Sequence, residues 1–151
     1  MKTRIISGAV LTVILVGAVL GGGTTMFILA AIITALGLYE LYKVVGIEKK
    51  ALGICGYILA ASFYTMLWFD KLQYLEYFCV ASGILTMFVY VCSFKTTRAK
   101  QAAFSLLGIY YVAIPISYIY RIRIMEKGIF IFILVFVCSW IADTFAYFTG
   151  V

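Results

Sequence analysis

Apolar residues run along this chain in six long blocks, each bounded by charge or glycine: Ile5–Leu20, Thr24–Tyr42, Ala51–Phe69, Leu72–Phe94, Ala102–Tyr120 and Gly128–Gly150. A helix rises 1.5 Å per residue, and about 20 apolar residues cross a hydrocarbon core of roughly 30 Å. Each block therefore predicts a membrane-crossing helix. Ile5–Leu20 is the shortest and reaches only about 24 Å, so it requires local thinning of the bilayer or help from Gly21–Gly23. Those glycines predict a helical hairpin between the first two blocks. The expected fold is an all-α integral membrane protein, a polytopic bundle of about six transmembrane helices forming one domain over residues 1–151.

The charges between the blocks predict an orientation, because Lys and Arg are retained on the cytoplasmic side. With the amino terminus inside, the inner segments hold Lys2, Arg4, Lys43, Lys49, Lys50, Lys95, Arg98 and Lys100, eight in all, against four outside: Lys71, Arg121, Arg123 and Lys127. The expectation is a multi-pass protein of the cell membrane with a cytoplasmic amino terminus. The group Arg121–Lys127 runs against the count. Pro115 lies just before it and predicts a bend in Ala102–Tyr120, because proline removes a backbone donor. Lys2 and Arg4 ahead of an apolar run also fit a signal peptide, but five further apolar blocks follow, which makes the first an uncleaved span. Gly17 and Gly21 form a GxxxG, a spacing that permits close helix contact. Tyr39, Tyr42, Trp68, Tyr74 and Tyr120 fall near block ends, as interfacial anchors do.

Composition agrees with this pattern. The chain is 66% hydrophobic and 12% charged, where a soluble domain has roughly a quarter charged residues, and its mean hydropathy is +1.13. A water-soluble fold is excluded, and 151 residues leave no room for a separate soluble domain beside six spans. The net charge of +6 does not predict nucleic-acid binding, because the basic residues are dispersed among the connections. Cys55, Cys79, Cys92 and Cys138 all sit inside apolar runs with no CxxC pair, so a zinc site or disulfide framework has no support. Histidine is absent, which removes Ser-His-Asp and Cys-His nucleophilic sites and histidine-ligated metals.

Chemistry is left to carboxylates, hydroxyls, Lys and Arg. An ionised carboxylate at membrane depth costs about 2.5 to 3.5 kcal/mol on insertion scales, so one found there usually has a task. Asp143 alone qualifies; Glu40, Glu48, Asp70, Glu76 and Glu126 fall at span ends or in connections. Helical spacing of four puts Ser139, Asp143 and Tyr147 on one face of the last span, with Thr144 adjacent and Gly150 a turn further on. In the predicted orientation this polar stripe lies toward the cytoplasmic end. A lone carboxylate among hydroxyls suits Mg²⁺, a hard cation that takes oxygen ligands. A proton relay or an ion site in a transporter uses the same feature, and a structural carboxylate held by a neighbouring span is the bland reading. Two basic clusters, Lys95–Arg98–Lys100 and Lys43–Lys49–Lys50, can attract an anionic head group or nucleotide; their alternative role is to set topology.

The stretch WIADTFAYFTG, Trp140 to Gly150, resembles the D-[TS]-x-A-Y-x-x-G segment of phosphatidate cytidylyltransferases, also called CDP-diglyceride synthetases, with Asp143, Thr144, Ala146, Tyr147 and Gly150 matching. Upstream, GIYYVAIPISYIYRIR, Gly108 to Arg123, is similar to that family's Y-x-G-x stretch ending in a Leu-Arg pair. The second glycine is replaced here, and Ile precedes each Arg. YELYKVV, Tyr39 to Val45, resembles the Glu-hydrophobic-aromatic-Arg sequence after the second span. The Ser-Pro-Lys-Lys-Thr stretch and the later Pro-Gly-His-Gly-Gly segment of the family lie outside these residues, so the chain is expected to be an amino-terminal fragment of a longer enzyme.

The resemblance implies transfer of a cytidylyl group from CTP to phosphatidate, giving CDP-diacylglycerol and pyrophosphate. It implies Asp143 as a Mg²⁺ ligand, with Tyr147 and Thr144 as supporting hydroxyls. The basic cluster Lys95, Arg98 and Lys100 is the candidate contact to CTP or the phosphatidate head group, topology being its alternative role. The resemblance also implies a homodimer. No second intramembrane carboxylate accompanies Asp143, so the site is expected to be incomplete and the fragment inactive alone. The competing readings are an ion- or proton-coupled transport protein and a catalytically silent membrane protein of the same ancestry.

Overall fold

A computed structural model of the chain describes residue 10 and residues 13–150. The start of the predicted Ile5–Leu20 span, with Lys2 and Arg4, lies outside the described residues. Residues 13–20 are helical. They are followed by α1 (Gly23–Val45), α2 (Ala51–Trp68), a short 3₁₀ turn (Leu72–Tyr74), α3 (Leu75–Cys92), α4 (Ala99–Leu107), a π-helical stretch (Gly108–Ala113), α5 (Ile114–Ile124) and α6 (Gly128–Thr149). Among the described residues there is no strand, and five helices are long and apolar enough to cross a membrane: Gly23–Val45, Ala51–Trp68, Leu72–Cys92, Ala99–Ile124 and Gly128–Thr149. The chain is thus an all-α, polytopic membrane protein, and the predicted blocks map onto its spans.

Local chemistry accounts for the helix ends. Gly22, at φ +97°, makes the turn into α1, a conformation in which a Cβ would be strained. Gly46, at φ +69°, ends α1: its N–H donates to the Lys43 carbonyl and that of Ile47 to the Tyr42 carbonyl, the paired bonds of a Schellman motif. Asp70, at φ 53°, does the same after α2, with Lys71 N–H donating to Met66 and Asp70 N–H to Leu67.

The predicted bend at Pro115 takes a different form. Instead of a break, the span carries the π-helical stretch just ahead of the proline, and the Ile114 N–H donates to the Ile109 carbonyl five residues back. A π bulge absorbs the register change that a ring without an N–H demands, so the helix continues. It runs on through Ile124, so Arg121 and Arg123 belong to its last turn rather than to a loop. Positive charge there complements the helix dipole.

The chain forms two compact units, Met1–Ala30 with Tyr118–Val151, and Ala31–Ser117. In the first, Ala18, Met26 and Phe132 form a core joined by Leu15, Val19, Leu29, Ile119, Ile122 and Phe136. Phe27 meets Tyr120 edge-on at 5.3 Å. The Arg123 Nε donates to the Val19 carbonyl at 2.8 Å, and the Arg121 guanidinium lies 4.9 Å over the Tyr118 ring. These contacts give a structural reason for basic residues that the charge count left on the minority side. The GxxxG spacing permits a close contact at Gly17, but a Cβ there would meet nothing within 4 Å.

In the second unit α2 packs against α3, α4 and the π-helical stretch. Inside a bilayer, lipid is as apolar as leucine, so helices associate through close packing of small residues and hydrogen bonds. Both devices centre on Tyr42, which is fully buried. A Cβ on Gly56 or on Gly108 would collide with its ring. Its hydroxyl donates to the Ser105 carbonyl at 2.9 Å, and the Ser105 Oγ donates to the Leu52 carbonyl at 2.8 Å. Thr34 and Tyr64 share a 2.6 Å hydrogen bond between α1 and α2, and Ser82 and Tyr110 share one of 2.8 Å between α3 and the π-helical stretch. Such bonds average about 0.6 kcal/mol each and reach about 1.7.

Candidate functional site

The connections before α2 and α4 come together in the Ala31–Ser117 unit. Lys50 directly precedes α2 and Arg98 directly precedes α4. The Lys50 Nζ donates to the Thr96 carbonyl at 3.3 Å, and the Gln101 Nε2 donates to the Val45 carbonyl at 3.1 Å. These two bonds tie the end of α1 and the turn after it to the segment after α3 and the first turn of α4. That segment is tightened by the Thr97 Oγ1, which donates to the Ser93 carbonyl at 2.8 Å, and the Arg98 N–H is capped by the Gln101 Oε1 at 3.2 Å. The result is a cleft of about 580 Å³ lined by Val45, Gly46, Lys50, Lys95, Thr96, Thr97, Arg98 and Gln101.

Two of the predicted substrate contacts, Lys95 and Arg98, are therefore brought together, and Lys50 joins them from the other basic cluster. Lys100 is not part of this lining; its Nζ lies 5.9 Å over the Phe104 ring. Lys43 is likewise placed over a ring, that of Tyr39, at 5.8 Å. The convergence of Lys50 with Lys95 carries no signal in sequence spacing, because it depends on how the turn after α1 folds back under Gly46.

Asp143, Thr144 and Tyr147 lie in the other unit, on α6, which is unbroken from Gly128 to Thr149. The helical spacing of four that aligns Ser139, Asp143 and Tyr147 therefore holds. All are exposed, and Asp143 has no hydrogen-bond or ion-pair partner among the described residues. The Thr144 Oγ1 donates to the Trp140 carbonyl at 2.7 Å, which keeps its lone pairs available beside Asp143. The Tyr147 ring stacks edge-on with Phe148 at 5.8 Å.

The Cytidylyltransferase family model matches residues 2–151. The chain belongs to this family. It is similar to the phosphatidate cytidylyltransferase of Staphylococcus saprophyticus, at 28% identity covering 99% of this chain and 58% of that protein. It is similar also to the phosphatidate cytidylyltransferase of Staphylococcus haemolyticus, at 27% identity over 99% of this chain and 58% of that protein. The chain thus spans a little over half the length of the curated relatives it matches. No solved structure matches it.

Proposed function

We propose that this chain is the amino-terminal portion, a single helical membrane domain, of a phosphatidate cytidylyltransferase that makes CDP-diacylglycerol and pyrophosphate from CTP and phosphatidate. The observation that carries this reading is the family match over residues 2–151, together with the names of the relatives. Membership weighs against the transport reading of Asp143.

In the reaction, a phosphate oxygen of phosphatidate attacks the α-phosphorus of CTP. A new P–O–P linkage forms, the bond from the α-phosphorus to the bridging oxygen breaks, and pyrophosphate leaves with the electron pair. The barrier is dominated by the mutual repulsion of the gathered phosphates, so positioning and charge neutralisation supply most of the catalysis. Lys95 and Arg98 face an open basic cleft suited to holding an anionic phosphate, and Lys100, two residues on from Arg98, adds to the field that attracts it. Arg presents a planar fork that matches two phosphate oxygens.

The donors on α6 fit a magnesium ion as one carboxylate with hydroxyl neighbours, since Mg²⁺ is usually held by one or two carboxylates and substrate phosphates. Asp143 would hold it, with Thr144 and Tyr147 supporting. The ion, when bound, would neutralise phosphate charge. The same reading places the protein in the cell membrane as a homodimer with its amino terminus in the cytoplasm. The portion described is inactive alone.

The test is CTP- and Mg²⁺-dependent conversion of phosphatidate to CDP-diacylglycerol in membranes carrying this chain or the chain extended through its natural reading frame. Activity confined to the extended form and lost by at least about a hundredfold in Asp143→Asn is the expected result. Absence of activity from both forms would overturn the reading.

A further inference from the structure

The cleft between the 46–50 turn and the 93–98 segment gathers positive charge, and the turn's one carboxylate, Glu48, is not in its lining. Its lining holds Lys50, Lys95 and Arg98 and no carboxylate. The Lys50 Nζ has the Thr96 carbonyl at 3.3 Å, while the Lys95 ammonium and the Arg98 guanidinium have no hydrogen-bond partner among the described residues. Two of the three cations also stand where proteins rarely put them. Lys50 and Arg98 are the residues that open α2 and α4, and neither side chain caps its helix, because neither has an acceptor. That position favours Asp, Asn, Ser or Thr, and a helix amino terminus is itself the positive end of the dipole. Three cations facing one open space beside two such ends repel one another, and a bound anion converts the repulsion into attraction.

The chemistry specifies the anion. The arrangement joins one planar fork, Arg98, to two point charges, Lys50 and Lys95, with Thr96 and Gln101 also in the lining. A fork plus ammonium groups matches a phosphate better than a single carboxylate, because a phosphate offers three oxygens and up to two charges. The cleft lies at the ends of spanning helices, between α1 and α2 on one side and between α3 and α4 on the other. That is the depth at which lipid head groups meet cytoplasm or exterior, and where basic clusters recognise anionic lipids.

We propose that this cleft is a phosphate-binding site with Lys50 as its third member beside Lys95 and Arg98. It takes a phosphomonoester or polyphosphate, from the head group of an anionic lipid or from a nucleotide. The proposal rests on the transferase reading only for the choice of phosphate carriers to try.

The test uses the protein at its full natural length in phosphatidylcholine nanodiscs. Dioctanoyl phosphatidate, CTP and inorganic phosphate are titrated separately, with bound ligand read by native mass spectrometry. Lys50→Gln and Arg98→Gln are each expected to weaken at least one of the three by about tenfold, as loss of a charge-assisted contact does. Lys50→Arg should restore most of that affinity. Lys71→Gln, at the far end of α2, should stay within about twofold. Weakening confined to phosphatidate assigns the lipid head group, and weakening of CTP assigns the nucleotide. Unchanged affinity for all three ligands in both Gln variants, with thermal unfolding showing them folded, would overturn the site. An equal loss in Lys71→Gln would also overturn it, by showing a general surface-charge effect. Lys50-dependent binding without any cytidylyl transfer would sink the transferase reading and leave the site standing. Transfer with unchanged binding in every variant would do the reverse.

Discussion

Tyr42 shows how a membrane helix is fixed by one side chain and two absent ones. Its ring fills the space over Gly56 and Gly108, and its hydroxyl closes on Ser105 at 2.9 Å. Adding one methyl at Gly56 forces the ring out of place, and overpacking of this kind costs about 1 to 3 kcal/mol. Gly56→Ala should therefore lower the thermal unfolding midpoint in detergent. Gly17→Ala, where a Cβ meets nothing within 4 Å, should leave that midpoint level or raise it slightly, since alanine is the better helix former by about 1 kcal/mol. Equal effects from the two would sink the packing account. A pattern reading picks Gly17 because GxxxG is a local spacing. Gly56 and Gly108 meet the same ring from different helices, so no local spacing reveals them. Asp143 was legible for the opposite reason: a charge inside an apolar run is conspicuous without any knowledge of its neighbours.

Among the elements, span limits followed from the apolar blocks to within a few residues, because the cost of burying charge in lipid acts on each residue separately. The largest differences are in the fourth of the long spans, Ala99–Ile124. It starts earlier than Ala102 and ends later than Tyr120 because polar residues at both ends find partners: Gln101 at the Val45 carbonyl and Arg123 at the Val19 carbonyl. Val19 lies in the last turn of the first helical stretch, where carbonyls lack helical partners. Arg123→Leu would keep the apolar stem and strand that carbonyl. We expect a loss of about 1 kcal/mol, since the bond is only partly buried and water can reach the freed carbonyl. Arg123→Lys should recover part of it. Thermal unfolding of the two variants side by side measures the difference, and an unchanged midpoint in Arg123→Leu would show that the bond contributes nothing. The π-helical stretch was not legible: proline announces a missing donor, but whether the helix breaks, kinks or bulges depends on contacts such as that of Tyr110 with Ser82.

For the whole molecule, the polytopic all-α fold was readable because composition alone forbids a soluble one, while the basic cleft was only half readable. Lys95 and Arg98 are near neighbours in sequence; Lys50 reaches them only through the Lys50–Thr96 and Gln101–Val45 bonds. The orientation of the chain is where the two levels meet. Lys71 and Lys95 flank the span Leu72–Cys92, so they emerge on opposite sides of a bilayer whichever way the chain is inserted. The count of eight inner against four outer basic residues predicts a cytoplasmic Lys95. The outer four include Arg121, held over Tyr118, and Arg123, held by Val19, so half of the opposing charge has a structural reason to be where it is. In intact cells, Lys71→Cys should react with a membrane-impermeant maleimide, while Lys95→Cys should react only after permeabilisation, each read against the unsubstituted chain with its four free cysteines. The reverse pattern would turn the cleft toward the exterior. CTP, a cytoplasmic nucleotide, could not then be its ligand, leaving a lipid phosphate of the outer leaflet as the chemistry that fits.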